Sequence, residues 1–146
     1  MTRLHNSLIV IDGLVISKWS RAVFADMHQG GLTAANCTCS IWEGFADTMR
    51  NIAQWKRWFT DNADLITPVR RTADIRRAKA EGKTGIILGF QNTSALEDQV
   101  GYLPLFKELG VGVCKLPTTP RTWQVPAVTN PAIPGSAALG TRSWPR

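Results

Sequence analysis

Apolar residues in the first 116 positions recur with two alternating periods, which predict strands and helices in turn. Leu8 to Ile11 is a short apolar run ending at Asp12-Gly13, and it reads as a buried strand with a polar residue at its C-terminal tip. Trp19, Val23, Phe24 and Met27 follow at helical spacing behind a candidate N-cap, Ser20, and Gly30-Gly31 stops the helix. Leu32 to Ile41 reads as the next strand, with Cys37, Cys39 and Ile41 on one face. Phe45, Met49, Ile52 and Phe59 then mark one face of a longer helix that also carries Trp55 and Trp58.

Leu65 to Val69 predicts a short strand-like connection, and Ala73 to Glu81 a third helix between Thr72 and Gly82. Thr84 to Phe90 is the clearest strand, because Ile86, Ile87 and Leu88 are consecutive and suit burial on both faces. Ser94 and Glu97 have capping-box spacing and open a helix expected to run to Leu109-Gly110, with Pro104 kinking or restarting it. Val111 to Leu116 is the last strand of the series. Strands that alternate with helices pair in parallel through right-handed crossovers, so the fold class is α/β. Periodicity leaves open whether the sheet is doubly wound or part of a (β/α)8 barrel. The sequence lacks GxGxxG after the first strand and GxxxxGK[ST] anywhere, which disfavours the nucleotide-binding versions.

With 146 residues, 44% hydrophobic and 19% charged, the composition suits one ordinary globular domain rather than a collagen, a coiled coil or a disordered chain. No apolar stretch is long enough for a membrane helix and the N-terminal run lacks the pattern of a signal peptide. Three cysteines, Cys37, Cys39 and Cys114, make neither a disulfide framework nor a CxxC pair, and the expected location is the reducing cytoplasm. The net charge of +6 is unevenly placed: residues 1–108 hold 13 basic and all 11 acidic residues, whereas residues 109–146 hold four basic residues and no acid. Six of the eight prolines also lie in the last 30 residues, so the chain divides near Leu116 into 1–116 and a Pro-rich tail, 117–146, expected to be disordered.

Val10-Ile11-Asp12-Gly13, Gly30-Gly31-Leu32, Thr72-Ala73-Asp74-Ile75, Glu81-Gly82-Lys83, Gly89-Phe90-Gln91-Asn92 and Leu109-Gly110-Val111 together resemble the membrane (renal) dipeptidase family. The resemblance covers about residues 7–116, and Ile11 to Ser20 is similar to a bacterial branch. It implies the N-terminal part of a TIM barrel, about half of its eight βα units, from a family of metallopeptidases that hydrolyse dipeptides at a two-zinc site. Catalytic groups of such barrels sit at the C-terminal strand ends, which makes Asp12, Glu43, Gln91 and Asn92 the barrel-mouth candidates. The family's His-x-Asp pair falls on Leu14 and Ile16, and its metal-bridging glutamate falls on Gln91. Apolar side chains cannot bind zinc and a neutral amide binds it poorly, so no metal ligand carries over. The function implied is a dipeptidase-family hydrolase whose 146-residue chain is inactive and holds no zinc, with no catalytic residue assigned.

The tail has its own expectation. Pairing the last base of each codon with the first two of the next re-reads the sequence after Leu116 as Tyr-Asn-Thr-Ala-Asn-Leu-Ala-Gly-Ser-Gly-Cys-Tyr-Glu-Ser, similar to the family's continuation. Codon freedom permits most of these residues, but Trp123 before Gln124 forces Ala. Residues 117–146 are therefore read as an out-of-frame translation, with a natural Pro-rich tail as the alternative.

Other signals have plain structural readings. His28, near a helix end, suits a surface or capping role, while Cys37 and Cys39 suit small core positions. Arg70, Arg71, Arg76, Arg77, Lys79 and Lys83 suit the solvated face of an outer helix. A non-enzymatic binding protein acting through this basic helix is the alternative function, although nucleic acid is not the expected partner because no stacking motif accompanies it. The expected partners are a dipeptide-like small molecule and, through open barrel edges, further copies of the chain.

Overall fold

A computed structural model describes residues 3–116, so the expectations for the Pro-rich tail lie outside the described residues. The elements alternate as expected: α1 (Arg3–Ser7), β1 (Ile11–Val15), α2 (Arg21–Gln29), β2 (Ala34–Ser40), α3 (Phe45–Asp61), β3 (Ile66–Pro68), α4 (Thr72–Ala80), β4 (Thr84–Phe90), α5 (Tyr102–Leu109) and β5 (Val111–Cys114). All recorded strand pairs are parallel. β2 runs along one edge of β4 from Gly85 to Phe90, so the other edge is shared. There β3 pairs with Thr84–Ile86 and β5 with Leu88–Phe90. The barrel order is thus β1-β2-β4-β5, with β3 a short strand beside the start of β4.

Alternation along β2 and β4 sorts the sheet into two faces. Ala35, Cys37 and Cys39 with Ile86, Leu88 and Phe90 face the main core, where Phe24 of α2, Ile52 and Trp55 of α3 and Phe106 of α5 cover them. Trp55 is 1% exposed and its ring lies 5.0 Å from those of both Trp19 and Trp58 and 5.9 Å from that of Phe24. Offset and edge-on contacts between such rings add about 0.5–1.5 kcal/mol each beyond their burial.

The opposite, concave face carries Ala34, Asn36 and Thr38 of β2 and Gly85, Ile87 and Gly89 of β4. Its lower part is covered by α4, not by solvent as an outer helix would leave it. Ala78 Cβ and Ala34 Cβ both stand 3.4 Å from where a Cβ on Gly85 would lie, and Val69 is closer still. Arg70 reaches Gly110 at the start of β5, and Lys79 Nζ donates to Leu8 O at 2.7 Å just before β1. The segment therefore crosses beneath the N-terminal ends of the strands and closes the base of the barrel.

Three expectations from the sequence are corrected. The first strand is Ile11–Val15 rather than Leu8–Ile11, and Leu8, Ile9 and Ile11 are 50%, 42% and 48% exposed. β1 has β2 on one side alone among the described strands, so its apolar residues meet no second neighbour. The expected Ser94–Leu109 helix is a 3-10 turn, Ser94–Leu96, followed by α5, in which Pro104 falls in the first turn where its missing N–H costs little. Glu97 caps a different helix, its Oε1 accepting the Phe45 N–H at 3.0 Å beside Gly44, which has no side chain to do so.

Candidate functional site

The mouth of the barrel is built from the C-terminal ends of β1, β2 and β4. A β-bulge at Gly13-Leu14 shifts the register of β1, which pairs Asp12 with Ala35 but Val15 with Cys37. Asn36 holds this bulge by donating from Nδ2 to Gly13 O at 2.9 Å. A second shift between Thr38 and Ser40 turns Ser40 toward α3, where Thr48 Oγ1 donates to it at 3.0 Å.

These irregularities separate the four candidates from the sequence. Gln91 follows β4 on the concave face and its Nε2 donates to Thr38 Oγ1 at 3.0 Å. Asn92 is buried, and its Oδ1 accepts the Ser94 N–H at 2.8 Å, so it caps the following turn. Asp12 lies inside β1 rather than at its tip and shares the core-facing side with Ala35; its Oδ1 accepts the Leu14 N–H at 3.0 Å. Glu43 lies in the loop after β2 and points toward α3, with Oε2 accepting from Ile41 N at 2.6 Å, Trp42 N at 3.0 Å and Ser40 Oγ at 3.4 Å. Burial pushes the Glu43 pKa up, but the backbone N–H groups and the Ser40 hydroxyl outweigh it and hold the carboxyl below its usual value. A carboxylate so held is a weak base and a good loop cap.

Glu43 also lines a cavity of about 210 Å³ between the segment after β1, the end of β2 and α3, with Ser17, Trp19, Asn51, Trp55 and Trp58 around it. Its polar groups are largely engaged within the chain: Asn51 Nδ2 donates to Cys39 O at 3.0 Å and Trp19 Nε1 to Thr38 O at 3.3 Å. Ile16 and Thr38 complete its lining, so the cavity reaches the strand ends beside the mouth.

Asn36 is the residue that sequence reasoning missed. Its side chain lies over Gly89, in the space a Cβ there would fill, and its Oδ1 is buried with no hydrogen-bond partner among the described residues. A polar residue in the middle of Ala34–Ser40, opposite a glycine in the neighbouring strand, is the signal that could have found it. The concave face thus offers Asn36, Thr38 and Gln91, all neutral.

A two-zinc centre does not fit this donor set. Among the described residues no three of His, Cys, Asp and Glu come together. Leu14 and Ile16, 47% and 58% exposed at the end of β1, offer no donor atoms. Desolvation on the core side pushes the Cys37 and Cys39 thiols up to about 12, which keeps them protonated at neutral pH. The basic run around α4 is partly paired within itself: Arg77 bonds Asp74 at 2.9 Å and Glu81 at 3.7 Å, and Lys83 bonds Glu81 at 3.3 Å. None of the described helices is long and apolar enough to cross a membrane.

Comparison with known proteins agrees with this architecture. Residues 17–126 match the family model for membrane dipeptidase, peptidase family M19, a match that runs past Leu116. A crystal structure of an amidohydrolase from Pseudomonas aeruginosa is 59% identical over 77% of this chain, with a TM-score of 0.76, and the chain spans 35% of that protein. The probable dipeptidase PvdM from Pseudomonas aeruginosa is 14% identical over 78% of this chain and 36% of its own, with a TM-score of 0.67. A metallopeptidase from Rhodobacter sphaeroides, solved with a phosphinate mimic of the dipeptide L-Ala-D-Ala, is 12% identical over 73% of this chain and 44% of its own, with a TM-score of 0.63. The last two likenesses concern the fold alone. No curated protein sequence matches the chain. The parallel order β1-β2-β4-β5 is therefore part of a TIM barrel, and the chain belongs to the membrane dipeptidase family of hydrolases, peptidase family M19.

Proposed function

We propose that the chain is part of a dipeptidase-type hydrolase whose concave face holds a dipeptide-like substrate through neutral amide and hydroxyl groups, and that the 146 residues alone do not cleave peptide bonds. The observation that carries this reading is the pairing of a family barrel with a mouth-side concave face of Asn36, Thr38 and Gln91, all neutral among the described residues. The Gln91 amide, steadied by Thr38, presents an acceptor for a substrate N–H, and Asn36 shapes the floor beneath it by packing on Gly89. Binding and orientation are within reach of these groups. General-base activation of water is not, since neither amide takes up a proton near neutral pH.

Zinc belongs to the family's chemistry, where it would activate water, and no cluster of three His, Cys, Asp or Glu ligands is present among the described residues. Incubating the purified chain with simple dipeptides, with and without added zinc, tests the proposal. No cleavage above that in buffer is expected under either condition, and zinc-dependent release of amino acids would overturn it.

A further inference from the structure

We propose that the base of the barrel, opposite the mouth, carries a binding site for a compact oxyanion of the phosphate class. A cavity of about 190 Å³ lies there, lined by His5 of α1, His28 of α2, Thr33 and Gly31 before β2, and Lys79 and Lys83 around the end of α4. Both histidines of the chain are in this lining. Three separate stretches of sequence thus bring nitrogen-bearing side chains to one small concavity, an arrangement that the mouth and its chemistry do not use.

The charge count favours an anion. Lys79 Nζ donates to Leu8 O at 2.7 Å, which leaves two of its three N–H groups for another acceptor. Lys83 meets Glu81 at 3.3 Å while Arg77 meets Asp74 at 2.9 Å, so these charges balance, and the surplus positive charge of the lining is that of Lys79, which forms no ion pair among the described residues. The Lys83 side chain is 29% exposed, which lowers the dielectric around its ammonium and strengthens its pull on a bound anion. Thr33 is buried and its hydroxyl accepts the Val10 N–H at 3.1 Å, leaving its own hydrogen to donate.

The backbone adds little. The N–H groups of Gly31, Leu32, Gly82 and Lys83 already serve His28, Met27, Lys79 and Ala78 carbonyls, so recognition rests on side chains that substitution can remove. No aromatic ring other than the two imidazoles lines the cavity, which gives nucleic-acid bases nothing broad to stack on and favours a small phosphate-type ion over a polynucleotide. The proposal is independent of any hydrolytic activity.

Calorimetric titration of the full 146-residue chain with inorganic phosphate at low ionic strength tests it. The expected result is saturable binding of one phosphate per chain with a dissociation constant on the order of 1 mM. Lys83→Gln should weaken it by about ten-fold, because it removes a charge-assisted donor, and His28→Gln should weaken it as well, because it removes the imidazole from the lining. Arg50→Gln on α3, which removes a cation paired with Asp47 far in sequence from the cavity, should leave it unchanged. Far-UV circular dichroism confirms that each variant is folded, and His28 is exposed enough for its replacement to be tolerated. Absence of saturable phosphate binding, or equal binding by all variants, would overturn the site. So would tight, salt-sensitive binding of single-stranded RNA that phosphate does not displace.

Discussion

The Asn36 side chain crosses the backbone of Gly89 and donates to Gly13 O at 2.9 Å, so one amide ties three strands together at the level where the mouth begins. Adding a methyl at Gly89 has no room without moving Asn36. Gly89→Ala should therefore destabilise the chain by about 1–3 kcal/mol in urea unfolding. Asn36→Ala should relieve part of that cost, so the double variant should be more stable than the sum of the singles predicts. Additive effects would show that the contact is not formed.

Trp55 is the largest of the side chains that the core buries completely, and it sits among Trp19, Phe24, Trp58 and Phe59. Trp55→Ala should cost about 3–5 kcal/mol and shift the urea midpoint accordingly. A loss below about 1 kcal/mol would mean that the aromatic cluster is not packed as described.

The Asp74 carboxylate accepts the N–H groups of Arg70 and Arg71, each at 2.9 Å, and pairs with Arg77, and these contacts hold its pKa below the usual value. A depressed carboxylate pKa contributes stability that is present above the unfolded-state value and lost as pH falls through the folded-state value. Stability should thus decline on acidification through the carboxylate range, and Asp74→Asn should flatten that decline. An unchanged pH profile in the variant would contradict the role given to Asp74.

Desolvation keeps Cys37 and Cys39 protonated up to about 12. Their folded values are raised, so the stability they contribute is full below the unfolded-state thiol value and is lost as pH rises through the folded one. At pH 8 both thiols should resist a disulfide reagent in the folded chain and react fully in urea. Rapid reaction of either without denaturant would place it outside the core.

Much of this architecture was legible from the chain. Ile86-Ile87-Leu88 marked β4, Ser20 marked the start of α2, where it accepts the Val23 N–H, and Gly110 ends α5 in a left-handed conformation, as the helix-stop reading expected. What periodicity could not show was position in space. The Gly13-Leu14 bulge and the shift before Ser40 decide which face Asp12 and Glu43 occupy, and neither leaves a mark on hydrophobic spacing. The same holds for α4. Its short apolar pattern fits either side of a sheet, and the glycine at position 85, which makes room for Ala78 and Val69, places it on the concave side.

Ile11, Leu14 and Val113 are 48%, 47% and 37% exposed on the two outer strands of the barrel segment. We propose that these edges make the isolated chain self-associate, which sedimentation at rising concentration would detect as growing mass. A monomer across the micromolar range would argue against it.

For the sequence after Leu116 we propose a single-base deletion in the coding DNA, on the grounds of the coincident loss of acidic residues, rise in proline and re-readable continuation. Resequencing the locus should show one further base near the Leu116 codon, which restores the re-read continuation. An intact frame with no family-like sequence in either shifted frame would remove the idea.

Zinc stoichiometry tests the central claim most directly, because we propose that Leu14, Ile16 and Gln91 stand where the family resemblance implies metal ligands. The purified 146-residue chain, dialysed against micromolar zinc and measured by atomic emission, should retain well below one zinc per chain. One or two tightly held zinc ions per folded chain, lost on substitution of any barrel-mouth residue, would contradict the account.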